Sequence, residues 1–211
     1  MTLSALMPVM QEYCDVAIGP LVPDDSAALF RWVNDVKSAS LDVAYRPIDG
    51  VAFNAWLGTF ATDTSKVLFV IRKRGNPAPC GYIQITNIHP IHRSAEIGIR
   101  IGSDEDRGRG FGKAALRLAV DYSWNHLNLK RIQLTVLATN LRAVRAYKAV
   151  GFEEEGLFRR AAFINGVWTD VLAMATLRPS PGSPDQWSKT AQSSARSLPL
   201  NSRIETSLAS I

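Results

Sequence analysis

Seven residues, Arg107-Gly108-Arg109-Gly110-Phe111-Gly112-Lys113, constrain this 211-residue chain more than any other stretch. Residues 95–101 just before them alternate like a strand, with Ile97, Ile99 and Ile101 on one side and Glu96, Gly98 and Arg100 on the other. After them Phe111, Ala115, Leu118, Ala119 and Tyr122 recur at steps of three and four, the period of a helix over residues 110–127. Glycine at alternate positions of such a strand–loop–helix lets the backbone approach a ligand and take angles other residues resist. The N–H groups that open the helix point into the loop, and the helix dipole favours an anion there. With Arg107, Arg109 and Lys113 the segment suits a diphosphate. It is not the GxxxxGK[ST] loop, because Ala114 follows Lys113, and it lacks the third glycine of GxGxxG. Taken alone, it also reads as an ordinary glycine-rich surface turn.

The surrounding pattern alternates strands and helices. Residues 16–21, 67–71, 82–85 and 131–137 are compact strand-like runs. Pro23-Asp24-Asp25 offers a helix start before the stripe Ala27, Leu29, Phe30, Trp32 and Val33, and a second helix starts near Pro47 and carries Phe53, Trp56, Leu57 and Phe60. A helix over residues 140–150 precedes two last strands, residues 156–163 and 168–177, joined at Asn165-Gly166, a strong hairpin signal. Strands separated by helices and closed by a hairpin give an α/β mixed sheet covered by helices. The boundaries read as an extension over residues 1–14, a domain over 15–179, and a flexible Ser/Pro-rich tail over 180–211 with only a weak helix signal near Ile204.

Composition excludes other classes. Cys14 and Cys80 lie far apart, with no Cys/His cluster, so neither a metal site nor a disulfide framework is indicated, and a reducing cytoplasm is the simple reading. No apolar run is long enough for a membrane span, and the first residues lack the basic start of a secretory signal. The net charge of +5 attracts anions, but the basic residues are scattered, which fits a phosphorylated small molecule better than nucleic acid.

A second block settles the reading of the loop. Arg107-x-x-Gly110-x-Gly112 lies downstream of Ala95-Glu96-Ile97-Gly98-Ile99 and upstream of Asn140-x-x-Ala143-x-x-x-Tyr147-x-x-x-Gly151-Phe152. In this order and spacing the segments resemble the GCN5-related N-acetyltransferases (GNAT). The ending Glu155-Gly156-Leu157-Phe158-Arg159, with Asn165-Gly166 and Asp170, resembles their RimJ/RimL-like branch of ribosomal-protein alanine, spermidine and sugar-amine acetyltransferases. The likeness covers residues 15–178. It implies about seven strands and four helices, with acetyl-CoA as cosubstrate and no metal. The acceptor would be a primary amine, of an amino sugar, a nucleotide-linked amino sugar or a polyamine. A protein N-terminal α-amine and a non-catalytic acyl-CoA-binding module are the alternatives, and a homodimer is common in the branch.

The resemblance also assigns roles. Residues 107–113 would hold the diphosphate, and the backbone of Ile99, Arg100 and Ile101 would pair with the pantetheine arm. The amide near Ile99 would polarise the thioester carbonyl. Asn140, which can also cap its helix, would contact the arm, Ala143 would keep that helix face slim, and Tyr147 would act as general acid towards the thiolate. Glu96 occupies the place of a general base, although it can equally pair with Arg93 or Arg100. Tyr147 by itself could be a core tyrosine. His89 and His92 suit a solvated turn or a proton shuttle, and His126 a helix terminus. Phe53, Trp32 and Trp56 read as core bordering the acceptor pocket. Asp24, Asp25, Asp35 and Asp42 could attract a cationic acceptor or cap helices.

Overall fold

Strand β3, Val67–Lys73, is apolar on both faces and buried along most of its length, which places it in the middle of a sheet. The computed structural model describes residues 11–41 and 44–180. The remaining strands are β1 Gln11–Tyr13, β2 Val16–Gly19, β4 Pro79–His89, β5 Ser94–Ile101, β6 Arg131–Leu137, β7 Glu153–Ile164 and β8 Val167–Leu177. They form one sheet in the order β1-β2-β3-β4-β5-β6-β8-β7, antiparallel except where β5 meets β6. The helices are α1 Ser26–Val33, α2 Val36–Ala39, α3 Gly50–Thr62, α4 Phe111–Asn125 and α5 Leu141–Lys148.

Each helix covers a defined part of the sheet. α4 lies against one face and buries Leu118 together with Ala115 and Ala119, the alanines small enough for close approach, while its Tyr122 meets Phe69 of β3 edge-on at 4.9 Å. On the opposite face α1 and α3 pack aromatic residues over β3 and β4: Phe30 meets Phe53 at 5.2 Å, and Trp56 meets Tyr82 at 6.0 Å. The guanidinium of Arg72 in β3 donates to Asp25 at 2.5 Å and to the Pro77 carbonyl, locking the start of α1 to the sheet; both charged residues are buried. With its hydrogen bonds made, this ion pair tolerates burial that an unpaired charge could not.

The expected elements are present, with informative shifts. The first helix is preceded by a 3-10 turn, Pro23–Asp25, and begins only at Ser26. α3 begins at Gly50 rather than near Pro47, because the Asp49 carboxylate caps it by accepting the Ala52 N–H at 2.8 Å. α2 went unread because it is four residues long, held by the Asp35 carboxylate, which accepts from the Lys37 and Ser38 N–H groups. The sheet also has a strand, β1, within the residues read as an extension. It folds back on β2 through Cys14 at φ +53°, and Arg117 of α4 donates to its Tyr13 hydroxyl at 2.6 Å. The hairpin at Asn165-Gly166 forms as read, with both residues at positive φ. The expected tail, apart from Ser180, the helix signal near Ile204 and Asp42 lie outside the described residues.

Candidate active site

β5 and β6 begin as neighbours and then part. They pair in parallel only at Ser94↔Arg131, Ala95↔Ile132 and Glu96↔Gln133, whereas β4 follows β5 to Gly81↔Ile101. Beyond Glu96 one edge of β5 is therefore without a β6 partner. The Gly102 N–H donates to the Cys80 carbonyl of β4 at 2.9 Å. Backbone groups alternate sides along a strand, so Ile99 and Ile101 turn their N–H and C=O groups into the opening. Arg107 confirms the direction, since its Nε donates to the Ile101 carbonyl from that side at 3.2 Å.

A cavity of about 400 Å³ fills this opening. Ile99 and Ile101 form one wall, Thr135 and Val136 of β6 another, the loop at Gly108 and Gly110 closes one end, and α5 presents Asn140, Ala143, Ala146 and Tyr147. Ser38 of α2 and Leu41, just beyond that helix, complete the rim. Among the described residues no cluster of three or more His, Cys, Asp or Glu is arranged to hold a metal.

The loop has the form its glycines imply. Gly108 and Gly110 sit at φ +79° and +87°, a region that penalises any Cβ. Gly110 is the cap residue of α4 but has no side chain to satisfy the first turn, and Ala114 is the first amide to close on it, at 3.0 Å. The N–H groups that open α4 thus have no carbonyl one turn upstream and border the cavity. Lys113 joins the lining, whereas Arg109 lies over the Phe111 ring at 5.3 Å and neither of these two lines it.

Arg107 lines the cavity but its charge is directed elsewhere. Its guanidinium reaches Asp104, the Ser38 hydroxyl and the Gly102 carbonyl besides Ile101, and its side chain is 9% exposed. It ties the loop to the end of β5 and to α2. Gly102 is fixed there by close approach, because a Cβ would meet the Trp32 indole at 2.0 Å.

Asn140 caps α5, its Oδ1 accepting the Ala143 N–H at 3.2 Å, while its Nδ2 donates to the Leu41 carbonyl at 2.9 Å. Tyr147 is 6% exposed, packs edge-on against Phe152 at 5.7 Å and borders the cavity with Asn140, two turns apart on one helix. Glu96 is exposed on the sheet face opposite α4, just where the strands part, and does not line the cavity. Its Oε1 accepts from Gln133 Nε2 at 3.5 Å, Gln133 Oε1 accepts from Arg131 Nε at 3.2 Å, and Arg131 grips Glu155 with both terminal nitrogens. That fork holds the Glu155 carboxyl below the usual carboxylate range. Glu96 pairs with Gln133 rather than with the arginines weighed from sequence.

Other sequence candidates lie away from the cavity. His89 and His92 stack at 4.1 Å on an exposed turn, and His126 ends α4 against Tyr122. Asp25 and Asp35 are engaged by Arg72 and the α2 amides, and Asp24 is exposed at the start of the 3-10 turn. Trp56 and Phe53 belong to the aromatic cluster; Arg100, by contrast, lines the cavity while its guanidinium donates to the Trp32 carbonyl at 2.8 Å. Burial, foremost, and then the charge of Asp106 push the Cys80 thiol up to about 11, leaving it inert. Sequence reasoning missed Arg142 and Arg145, which line the cavity from α5. Their offset within the Asn140–Tyr147 block was the signal available.

Comparison with known proteins agrees with this geometry. Residues 15–153 match the acetyltransferase (GNAT) domain. The spermidine N(1)-acetyltransferase of Vibrio cholerae is 42% identical over 98 residues, covering 46% of this chain and 56% of the relative. The enzyme of that name from Escherichia coli K12 is 36% identical over 112 residues, covering 53% and 59%. These matches thus span little more than half the length of either curated relative. A crystal structure of spermidine N-acetyltransferase from Vibrio cholerae in complex with CoA and spermine superposes with a TM-score of 0.71 at 30% identity, covering 77% of this chain and 95% of that one. A strand pair that opens beside a glycine-bounded loop, together with a family match over more than half the chain, places it among the GNAT acetyltransferases.

Proposed function

We propose that this protein transfers the acetyl group of acetyl-CoA to a primary amine of a small molecule. The observation that carries the reading is the opening between β5 and β6, bounded at one end by the loop of Gly108 and Gly110 and flanked by the buried Tyr147. A diphosphate-bearing thioester carrier fits what the site offers: uncapped N–H groups at the start of α4, Lys113, an unpaired strand edge, and a helix kept slim by Ala143 and Ala146. When bound, acetyl-CoA supplies an acyl group already activated as a thioester.

The chain's own groups divide the remaining work. The amides of residues 108–113 hold the diphosphate, Ile99 and Ile101 offer main-chain hydrogen bonds to the arm, and Asn140 secures the helix beside it. The Ile99 N–H turns into the opening and polarises the thioester carbonyl; one such donor contributes about 3–4 kcal/mol in comparable sites. Glu96, on the open face where an acceptor would approach, takes the proton of the attacking amine directly or through water. Tyr147, on the cavity side, returns a proton to the departing sulfur. Holding amine and thioester together lowers the entropic barrier.

The spermidine acetyltransferases to which the chain is similar support a polyamine acceptor, with an amino sugar or nucleotide-linked amino sugar as the other small amines to try. Free thiol released from acetyl-CoA is measured against spermidine, spermine, amino sugars and a nucleotide-linked amino sugar. Amine-dependent release with at least one acceptor, and its loss in Tyr147→Phe while CoA still binds, supports the reading. CoA binding with no acceptor-dependent release from any small amine or N-terminal peptide would instead make the protein an acyl-CoA-binding module.

A further inference from the structure

The cavity carries more positive charge than a diphosphate needs. Most basic groups around the site have partners: Lys73 holds Asp106 at 2.5 Å, Arg107 holds Asp104, Arg131 holds Glu155 and Lys148 holds Glu154. Asp106 is the only carboxylate among the lining residues, and Lys73 already engages it. Lys113, Arg142 and Arg145 also line the cavity, and among the described residues none of the three has a carboxylate partner. The loop amides and Lys113 suffice for a diphosphate, which leaves two arginines unaccounted for.

Their position on α5 says which part of a ligand they serve. At about 100° per residue, and counted through Ala143 and Ala146, Arg142 lies roughly 140° and Arg145 roughly 200° around the helix from Tyr147. The cavity-lining arc of α5 therefore runs from a hydroxyl at one flank, across alanines, to guanidinium groups at the other. A ligand whose reactive sulfur meets Tyr147 presents a different part to the arginines. Both side chains are exposed, so they are free to close on a group that arrives with the ligand. Guanidinium forks match phosphate oxygens in pairs and cost less to desolvate than lysine.

Resting on the acetyl-CoA reading, we infer that Arg142 and Arg145 form a site for a second, separate phosphate, a monoester on the ribose of the carrier. At neutral pH such a monoester carries a charge of about −1.5 to −2, which two unpaired arginines neutralise. These residues then distinguish the 3′-phosphorylated carrier from its dephospho form.

Calorimetric titration of the full chain with CoA and with 3′-dephospho-CoA tests this, on wild type, on Arg142→Ala and Arg145→Ala, and on the double variant. Alanine favours helix, and both positions are exposed, so circular dichroism should show an unchanged fold. The wild type should bind CoA about 30-fold or more tightly than the dephospho form, a preference of about 2 kcal/mol. The double variant should lose that preference because CoA binding weakens while dephospho binding stays the same. A preference that survives in the double variant, or equal weakening of both ligands, overturns the inference and assigns the arginines to the diphosphate or to nothing. Failure of wild type to bind either ligand removes the acetyl-CoA reading itself, a separate outcome.

Discussion

α4 and α5, which both border the cavity, begin in opposite ways. α5 opens on Asn140, whose carboxamide accepts the Ala143 N–H and anchors to Leu41. α4 opens on Gly110, which has a left-handed backbone and no side chain to offer. One helix start is closed by its own sequence and the other is left open beside the cavity. Helices normally satisfy their first amides with a serine, threonine, aspartate or asparagine. Where that residue is missing, amides and dipole remain available to an anion. The difference separates a helix start that holds the fold from one offered to a ligand.

Making the open start resemble the closed one should have the largest effect. In Gly110→Asp, a residue that tolerates the left-handed region, a carboxylate would occupy the first-turn amides and repel the diphosphate. Affinity for CoA by calorimetry should fall about 1,000-fold, near 4 kcal/mol, far more than the strain of a Cβ at this positive φ lowers stability. Retained affinity would mean the loop amides do not hold the ligand. Next comes Tyr147→Phe, which keeps the ring packed on Phe152 but removes the proposed acid. Its kcat should drop about 100-fold, the lower end for a lost general acid, with CoA binding nearly unchanged. Glu96→Gln should cost about tenfold or less in kcat, because the exposed carboxylate can be replaced by water. An unchanged kcat would remove Glu96 from the mechanism. Asn140→Ala opens the closed start and should cost about 1 kcal/mol of stability, a fall in melting temperature of about 2–4 °C for a chain of this size. A larger loss in CoA affinity than in stability would show that Asn140 serves ligand as well as helix.

Local chemistry was legible in the sequence, and non-local geometry was not. The glycines at 108 and 110, the Asn140 cap and the alternation of residues 95–101 depend on neighbours within a few positions, so their patterns could be read directly. The parting of β5 and β6 depends on how two strands separated by α4 diverge, and no residue in either announces it. Arg107 illustrates the same limit. Its place in the loop motif suggests a phosphate ligand, yet Ile101, Gly102, Asp104 and Ser38 draw the guanidinium inward. The caps on α2 and α3 likewise used aspartates that composition alone would offer to a cation. Arg142 and Arg145 join the site only because the fold sets α5 beside the loop.

The parted strands leave the sheet unfinished, and on the proposed reading an incoming carrier would complete it. Such a molecule does the work of a missing length of polypeptide, so its capture and the chain's resistance to unfolding share one free energy. Heat tolerance should therefore climb with the logarithm of carrier concentration once the site is mostly filled. In a cell, the supply of the activated acyl donor would then set how long each copy survives as well as how fast it turns over.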